Sequence, residues 1–229
     1  MSRGWSPPGP PPTTLVLVRH GVTGHTVEKR FSGGLASANP PLSDEGREQV
    51  AATARWLREV EVDALLASPV RRTIESAGIV AEELGHEVVV EPGFAEMEFG
   101  AWDGLTFSEV AERHQDELTA WLGSTEVAPP GGESMRQVSE RVLAGLERTL
   151  ATYAGQTVVV VSHVTPIKNL IADALGAPLE ALFRMELTPA SVSVVSFYEG
   201  GGASGTERVG SMRLFNATPE GPPLTLRRR

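Results

Sequence analysis

Cysteine is absent from this chain, so disulfides and thiolate metal sites are excluded. No run of about 18 apolar residues occurs, and no membrane-spanning helix is expected. The N-terminus lacks the apolar core of a secretory signal, and a soluble, cytoplasmic protein is the expectation. Positive charge is also short: 20 Lys and Arg stand against 29 Asp and Glu, a net charge of −9. That balance argues against nucleic-acid or anionic-membrane binding through a long-range field. It does not oppose a phosphate ligand, because a local arginine cluster overrides the mean. The basic end Arg227-Arg228-Arg229 reads as a solvated terminus. His20 and His25 form no HExxH pair, and there is no Walker loop or nucleophile-elbow serine. No metal and no cofactor are expected.

What the chain has is 41% hydrophobic residues and 24 glycines in 229 residues, enough for a sizeable core. Residues 1–12 contain five prolines and no apolar period, and read as a disordered tail or linker. Residues 13–217 read as one domain and 218–229 as a flexible tail. Strands are expected at 14–18, 63–67, 87–90 and 157–161, the last almost purely β-branched. Helices are expected from a Ser43 N-cap to about residue 60, and from a Ser68-Pro69 start to about residue 84. Further helices are expected at 106–122, 134–153 and 166–175, with Gly85 and Gly176 as stops. Residues 191–197 and 208–215 alternate well enough for an antiparallel hairpin. Gly200-x-Gly202-x-x-Gly205 matches the dinucleotide fingerprint by letter, but it joins two strands and reads as a turn. Alternating strands and helices make the class α/β with a largely parallel sheet.

Three strand ends carry chemistry. The first ends in Arg19-His20-Gly21, the second leads to Ser68-Pro69-Val70-Arg71-Arg72, and the strand at 157–161 ends in Ser162-His163. In a parallel sheet these ends share one edge, where open α/β folds hold ligands. Two histidines and two arginines there make an anion pocket.

These motifs resemble the histidine phosphatase superfamily, which includes the cofactor-dependent phosphoglycerate mutases. Arg19-His20-Gly21-Val22-Thr23 resembles its signature. The likeness continues through residues 68–77 (SPVRRTIESA), 94–104 (FAEMEFGAWDG), Gly131-Gly132-Glu133-Ser134 and Val161-Ser162-His163. It spans about residues 14–216 and is closer to the α-ribazole phosphatase-like branch. Arg30-Phe31-Ser32-Gly33 and Arg213-Leu214-Phe215-Asn216 are similar to the phosphatase domain that actinobacteria fuse behind a ribonuclease H domain. The Pro-rich start would then be a linker from a fused N-terminal domain of a longer parent chain. Nothing here resembles ribonuclease H, and no nucleic-acid partner or nuclease activity is expected of this domain.

The resemblance implies a three-layer α/β/α sandwich, phosphoglycerate mutase-like, with a mostly parallel central sheet. It implies that His20 is the nucleophile and that Arg19 and Arg72 hold phosphoryl oxygens. Arg71 becomes the exposed neighbour, His163 the stabiliser of transferring charge, and Glu96 the proton donor. Glu98 and Asp103 are the alternative donors. Two guanidiniums disfavour protonation of His20, leaving the neutral imidazole that can attack. Glu96 must be protonated to assist the leaving alkoxide and ionised to activate water, which implies an acid to neutral pH optimum. Thr23, Thr26, Ser32 and Gly33 are phosphate-binding candidates, with loop capping and a plain turn as the competing readings. Family members often carry Asn at the position of Thr26 and an acid or amide at Val22, so this loop departs from the pattern. His25 reads as a solvated loop residue more readily than as part of a pocket entrance, and Trp102 as loop packing. The implied activity is a metal-independent phosphomonoesterase of acid phosphatase type, acting on a small phosphorylated metabolite through phosphohistidine. A cofactor-dependent phosphoglycerate mutase is the alternative, and a non-catalytic phospho-ligand module a third. Phe99-Gly100-Ala101-Trp102 stands where mutases usually carry Tyr-Gly, which favours hydrolysis. Monomer and homodimer both remain open.

Overall fold

Alternating apolar residues give strand β1 (Thr13–Arg19) two buried faces. Leu15 and Leu17 enter one core, Val16 and Val18 the other. The computed structural model describes residues 10–200 and 208–219. The remaining strands are β2 (Ala64–Ala67), β3 (Val88–Val90), β4 (Thr157–Ser162), β5 (Val192–Tyr198) and β6 (Val209–Ala217). They form one six-stranded sheet in the order β3-β2-β4-β1-β5-β6. The pairs β3·β2, β2·β4 and β4·β1 are parallel, whereas β1·β5 and β5·β6 are antiparallel.

The helices are α1 (Gly24–Val27), α2 (Asp44–Leu57), α3 (Arg71–Leu84), α4 (Phe107–Arg113), α5 (Gln115–Leu122), α6 (Met135–Thr152) and α7 (Val164–Leu175). Apolar residues of α2 and α3 pack on one face of the sheet, and those of α4 to α7 on the other. The architecture is therefore the three-layer α/β/α sandwich. Ser43 caps α2 by accepting from the Gly46 N–H, and Asp44 and Glu45 in the first turn complement the helix dipole. Ser134 and Gln137 form a capping box that starts α6. Gly85 closes α3 at φ 70°, a left-handed turn that favours glycine.

Chain direction splits at the middle of the sheet. After β1 the chain crosses by α2 to β2; after β4 it crosses by α7, on the opposite face, to β5. The carboxyl ends of the neighbours β1 and β4 thus border a topological switch point, where such sheets leave a crevice. Gly21 and Gly46 let the chain leave β1 tightly. A Cβ on Gly21 would sit 2.3 Å from the Gly46 carbonyl oxygen, and one on Gly46 2.1 Å from that of Val22.

Three expected elements differ. Helix α3 starts at Arg71 with Val70 as its N-cap, not at Ser68, whose hydroxyl has another partner. The helix expected at 106–122 breaks at His114 (φ −138°, ψ 42°), which turns α5 so that Trp121 meets Trp102 edge-on at 5.7 Å. The loop at 21–41 contains α1, a single turn closed by a Thr23–Thr26 capping box. No described helix is long and apolar enough to cross a membrane. The Pro-rich start up to residue 9, the tail from 220, and Gly202 and Gly205 of the expected turn lie outside the described residues.

Candidate active site

Strand register brings the reactive strand ends together. Arg19 lies opposite Ser162, and Ala67 opposite Val161, so His20, Ser68 and His163 follow on adjacent strands. The His20 and His163 rings meet with centroids 5.1 Å apart at 62°. His20 is pinned from both sides: its N–H donates to the Ser162 carbonyl, and its carbonyl accepts from the Ala190 N–H.

The tautomer of His20 follows from its partners. Nδ1 lies 2.7 Å from the Gly21 carbonyl oxygen. A carbonyl only accepts, so Nδ1 carries the proton and Nε2 holds the lone pair. Arg72 confirms this by donating from Nε to Nε2 at 3.2 Å. Burial first, then the charges of Arg72 and Arg19, holds the His20 pKa well below its ordinary 6.5. His163 is lowered likewise by burial, then by Arg72, His20 and Arg19. Its Nε2 lies 2.7 Å from Ser68 Oγ.

Around His20 stand buried donors with nothing to bond. Arg72 spends Nη2 on the Ser32 and Gly33 carbonyls at 3.1 and 3.0 Å, but its Nη1 is unpartnered. Arg19 donates to the Leu187 carbonyl, and its Nε is unpartnered. Nδ1 of His163 is unpartnered too. Each such group costs about 1–3 kcal/mol when left unmade. The two guanidinium donors, on different side chains beside one imidazole, can receive an anion's oxygens. Burial lowers Arg19 to about 10, with Glu96 opposing and Arg72 assisting, so it stays cationic at neutral pH.

Glu96 is buried at the edge of this group. Oε1 accepts from the Met97 N–H at 2.8 Å, and Oε2 lies 3.4 Å from the Thr165 nitrogen on the first turn of α7. Its segment is gripped by Arg141 of α6, which donates to the carbonyls of Gly93, Ala95 and Glu96 at 3.0, 2.7 and 2.9 Å. Arg141 also makes a two-pronged pair with Glu133 at 2.8 Å on each prong, and Glu133 accepts from the Glu98 N–H at 2.9 Å. Burial pushes the Glu133 pKa up, but the bonds from Arg141 and from the Glu98 N–H outweigh it and the net shift is down.

A cleft of about 480 Å³ opens over Arg19, His20, Arg72 and Glu96. Thr23, Thr26, His25 and Ser32 line it. The Thr23 and Thr26 hydroxyls bond each other at 3.1 Å within the capping box, and Ser32 Oγ is buried without a partner. Gly33 sits behind the rim: its N–H donates to Asp103 at 2.8 Å and its carbonyl serves Arg72. His25 borders the cleft with a buried, unpartnered Nδ1, which is the pocket-entrance position. Arg71 is exposed and pairs with Glu75 at 2.8 Å. Glu98 and Asp103 are occupied in tying the N–H groups of Ala36, Gly33 and Ala38. Trp102 is fully buried in loop packing. Sequence reasoning missed Ser68 as the partner of His163, the Arg141–Glu133 grip, and Lys168, a half-buried cation on the cleft wall. Glu133 stood in a recognised motif, whereas Arg141 and Lys168 carry no local signal. Among the described residues no group of three or more His, Cys, Asp and Glu could hold a metal ion.

Several known proteins are similar to this chain. A bifunctional protein of Mycobacterium tuberculosis is 42% identical over 218 residues, covering 95% of this chain and 57% of its own length. The chain thus spans little more than half of that relative. Phosphoserine phosphatase 1 of Hydrogenobacter thermophilus is 33% identical over 186 residues, covering 81% of this chain and 87% of that protein. The α-ribazole phosphatase structure from Shigella flexneri superposes with a TM-score of 0.76 at 26% identity, over 90% of this chain and 96% of that one. The model of the histidine phosphatase superfamily, branch 1, matches residues 15–206. With that match spanning the strand ends, the paired histidines and Glu96, the chain belongs to branch 1 of the histidine phosphatase superfamily.

Proposed function

We propose that this domain is a metal-independent phosphomonoesterase that hydrolyses a small phosphorylated metabolite through phosphohistidine. The observation that carries the reading is the lone pair of His20 Nε2, fixed by the Nδ1–Gly21 bond and set beside unspent donors of Arg19 and Arg72 and the unpartnered Nδ1 of His163. The donors hold the phosphoryl oxygens and concentrate positive charge where the transition state needs it. Nε2 attacks phosphorus as the bond to the leaving oxygen breaks. Protonated Glu96 gives its proton to that oxygen, and the alcohol departs. Water then attacks the phosphohistidine, the Glu96 carboxylate takes a proton from the water, and inorganic phosphate leaves with His20 restored. The Arg141–Glu133 grip keeps Glu96 in reach during both steps. Two of the relatives named above, phosphatases of dissimilar esters, support hydrolysis as the common outcome.

The test is to mix the protein with an aryl phosphate in the presence of chelator and quench in alkali, where phosphohistidine survives. Free phosphate and an acid-labile phosphoprotein are expected, and both vanish in His20→Ala. Normal turnover in that variant would sink the mechanism. Isomerisation of 3-phosphoglycerate that depends on a bisphosphate primer, with little phosphate release, would indicate the mutase instead. Tight phosphate binding with neither activity would leave a binding module.

A further inference from the structure

Ser68 and Pro69 read as the cap and first residue of a helix, yet the structure diverts the Ser68 hydroxyl from that task. Helix α3 starts at Arg71 with no side-chain cap bond, and Ser68 Oγ lies 2.7 Å from Nε2 of His163. Both residues are fully buried, and the backbone holds both in place. The Ser68 N–H donates to the Val161 carbonyl, and the Ser68 carbonyl accepts from the Thr73 hydroxyl, each at 3.0 Å. His163 is the N-cap residue of α7, and its carbonyl accepts from the Ile167 N–H at 3.1 Å. The strand order β2-β4-β1 sets His163 between Ser68 and His20.

One arrangement of hydrogens satisfies the serine. Its Oγ accepts a long bond from the Val70 N–H at 3.4 Å. Among the described residues, the acceptor its own hydrogen meets is His163 Nε2. A proton on Nε2 would strand the hydroxyl hydrogen in the interior, where an unmade bond is costly. An imidazolium would strand it too, and would set a cation at a helix N-terminus, which opposes one. Burial, then the charges of Arg72, His20 and Arg19, also disfavour the imidazolium. What remains is a neutral ring with its lone pair on Nε2, facing the serine, and its proton on Nδ1. Nδ1 is the atom with no partner among the described residues, on a ring whose centroid is 5.1 Å from that of His20.

We propose that Ser68 is a positioning residue whose hydroxyl fixes the tautomer of His163, so that a neutral imidazole presents an Nδ1–H donor to a phosphoryl oxygen. This inference rests on the phosphomonoesterase reading and adds to it a residue that acts through His163. The opposite tautomer would turn a lone pair toward the phosphoryl oxygens and repel them. A neutral donor also needs no added proton, so its help does not fade as pH rises through the usual histidine range.

The test reads the ring protons directly. Long-range proton–nitrogen correlation spectra at neutral pH, assigned by comparison with His163→Gln, distinguish the two tautomers and the cation. The wild type is expected to show neutral His163 with its proton on Nδ1. A proton on Nε2, or on both nitrogens, would overturn the inference without any serine variant having to fold. Ser68→Ala, with its fold checked by denaturant unfolding, is expected to lose that single-tautomer pattern. It should slow phosphoenzyme formation from an aryl phosphate by about 10–10²-fold, short of the loss on deleting an oxyanion donor outright. A folded Ser68→Ala that keeps the wild-type tautomer, or reacts within about twofold of the wild-type rate, would equally refute the role of Ser68. Any of these failures leaves the phosphatase reading standing, because the tautomer is read without turnover. Failure to hydrolyse any phosphomonoester, aryl phosphates included, would remove both.

Discussion

Arg71 pairs with Glu75 at the surface, whereas Arg72 is buried against His20 and retains an unspent donor. One helical position, about 100° of rotation, separates a solvated cation from a buried one on the cleft floor. Arg72→Ala is expected to lower kcat/KM by at least about 10²-fold, and Arg71→Ala by no more than about twofold, measured on one aryl phosphate. Similar losses in both would refute this division of labour. The histidines give a second outcome. His20 and His163 have folded pKa values well below 6.5, so between those values and 6.5 the unfolded chain binds more protons. Stability from these groups is full above pH 6.5 and falls as pH drops below it. His163→Gln should flatten the acid side of a Tm-against-pH curve, and an unchanged slope would show the pKa to be ordinary. The His20 and Arg19 pair was legible because the motif sits at a strand end. Ser68 was not: its hydroxyl reads as an N-cap, and only the pairing of β2 with β4 reveals His163 within 2.7 Å.

Segments between β3 and β4 hold most of what the sequence left obscure. Strands β1 and β4 are read directly from unbroken apolar runs, and α2 and α6 from serine caps. The break at His114 has no glycine or proline to announce it; tertiary contact of Trp121 with Trp102 imposes it. The Arg141–Glu133 grip is equally silent, because it joins a helix to a loop 45 residues away in sequence. Arg141→Met should loosen that loop and slow phosphoenzyme formation from alkyl phosphates by up to about 10²-fold. Formation from 4-nitrophenyl phosphate, whose leaving group needs little proton help, should change much less. Rapid alkaline-quench measurements with enzyme in excess separate the two, and equal slowing would mean general damage. At the other side of the site, Gly21→Ala forces a Cβ into the Gly46 carbonyl and is expected to cost about 1–3 kcal/mol in denaturant unfolding.

Across the whole molecule the anion site couples chemistry to stability. Beside His20 the buried Arg19 Nε and Arg72 Nη1 lack partners, so an oxyanion that satisfies them would bind the native state alone. Orthovanadate or phosphate at about 100 times its Kd should add about 2.7 kcal/mol. For a domain of this size that is a rise in Tm of roughly 5–10 °C. Arg72→Ala should abolish the rise, and its persistence would put the anion elsewhere. The sheet also divides the interior into two separate cores. The one on the α2–α3 face holds no aromatic member of the cleft wall, while the other contains Trp121 and packs against Phe31 and Phe99. Drift in one half of the interior can therefore adjust robustness while the other half is free to change diet. An evolving lineage, or an engineer, can bank stabilising changes beneath α2 and α3 first and spend them later on retargeting the opposite side.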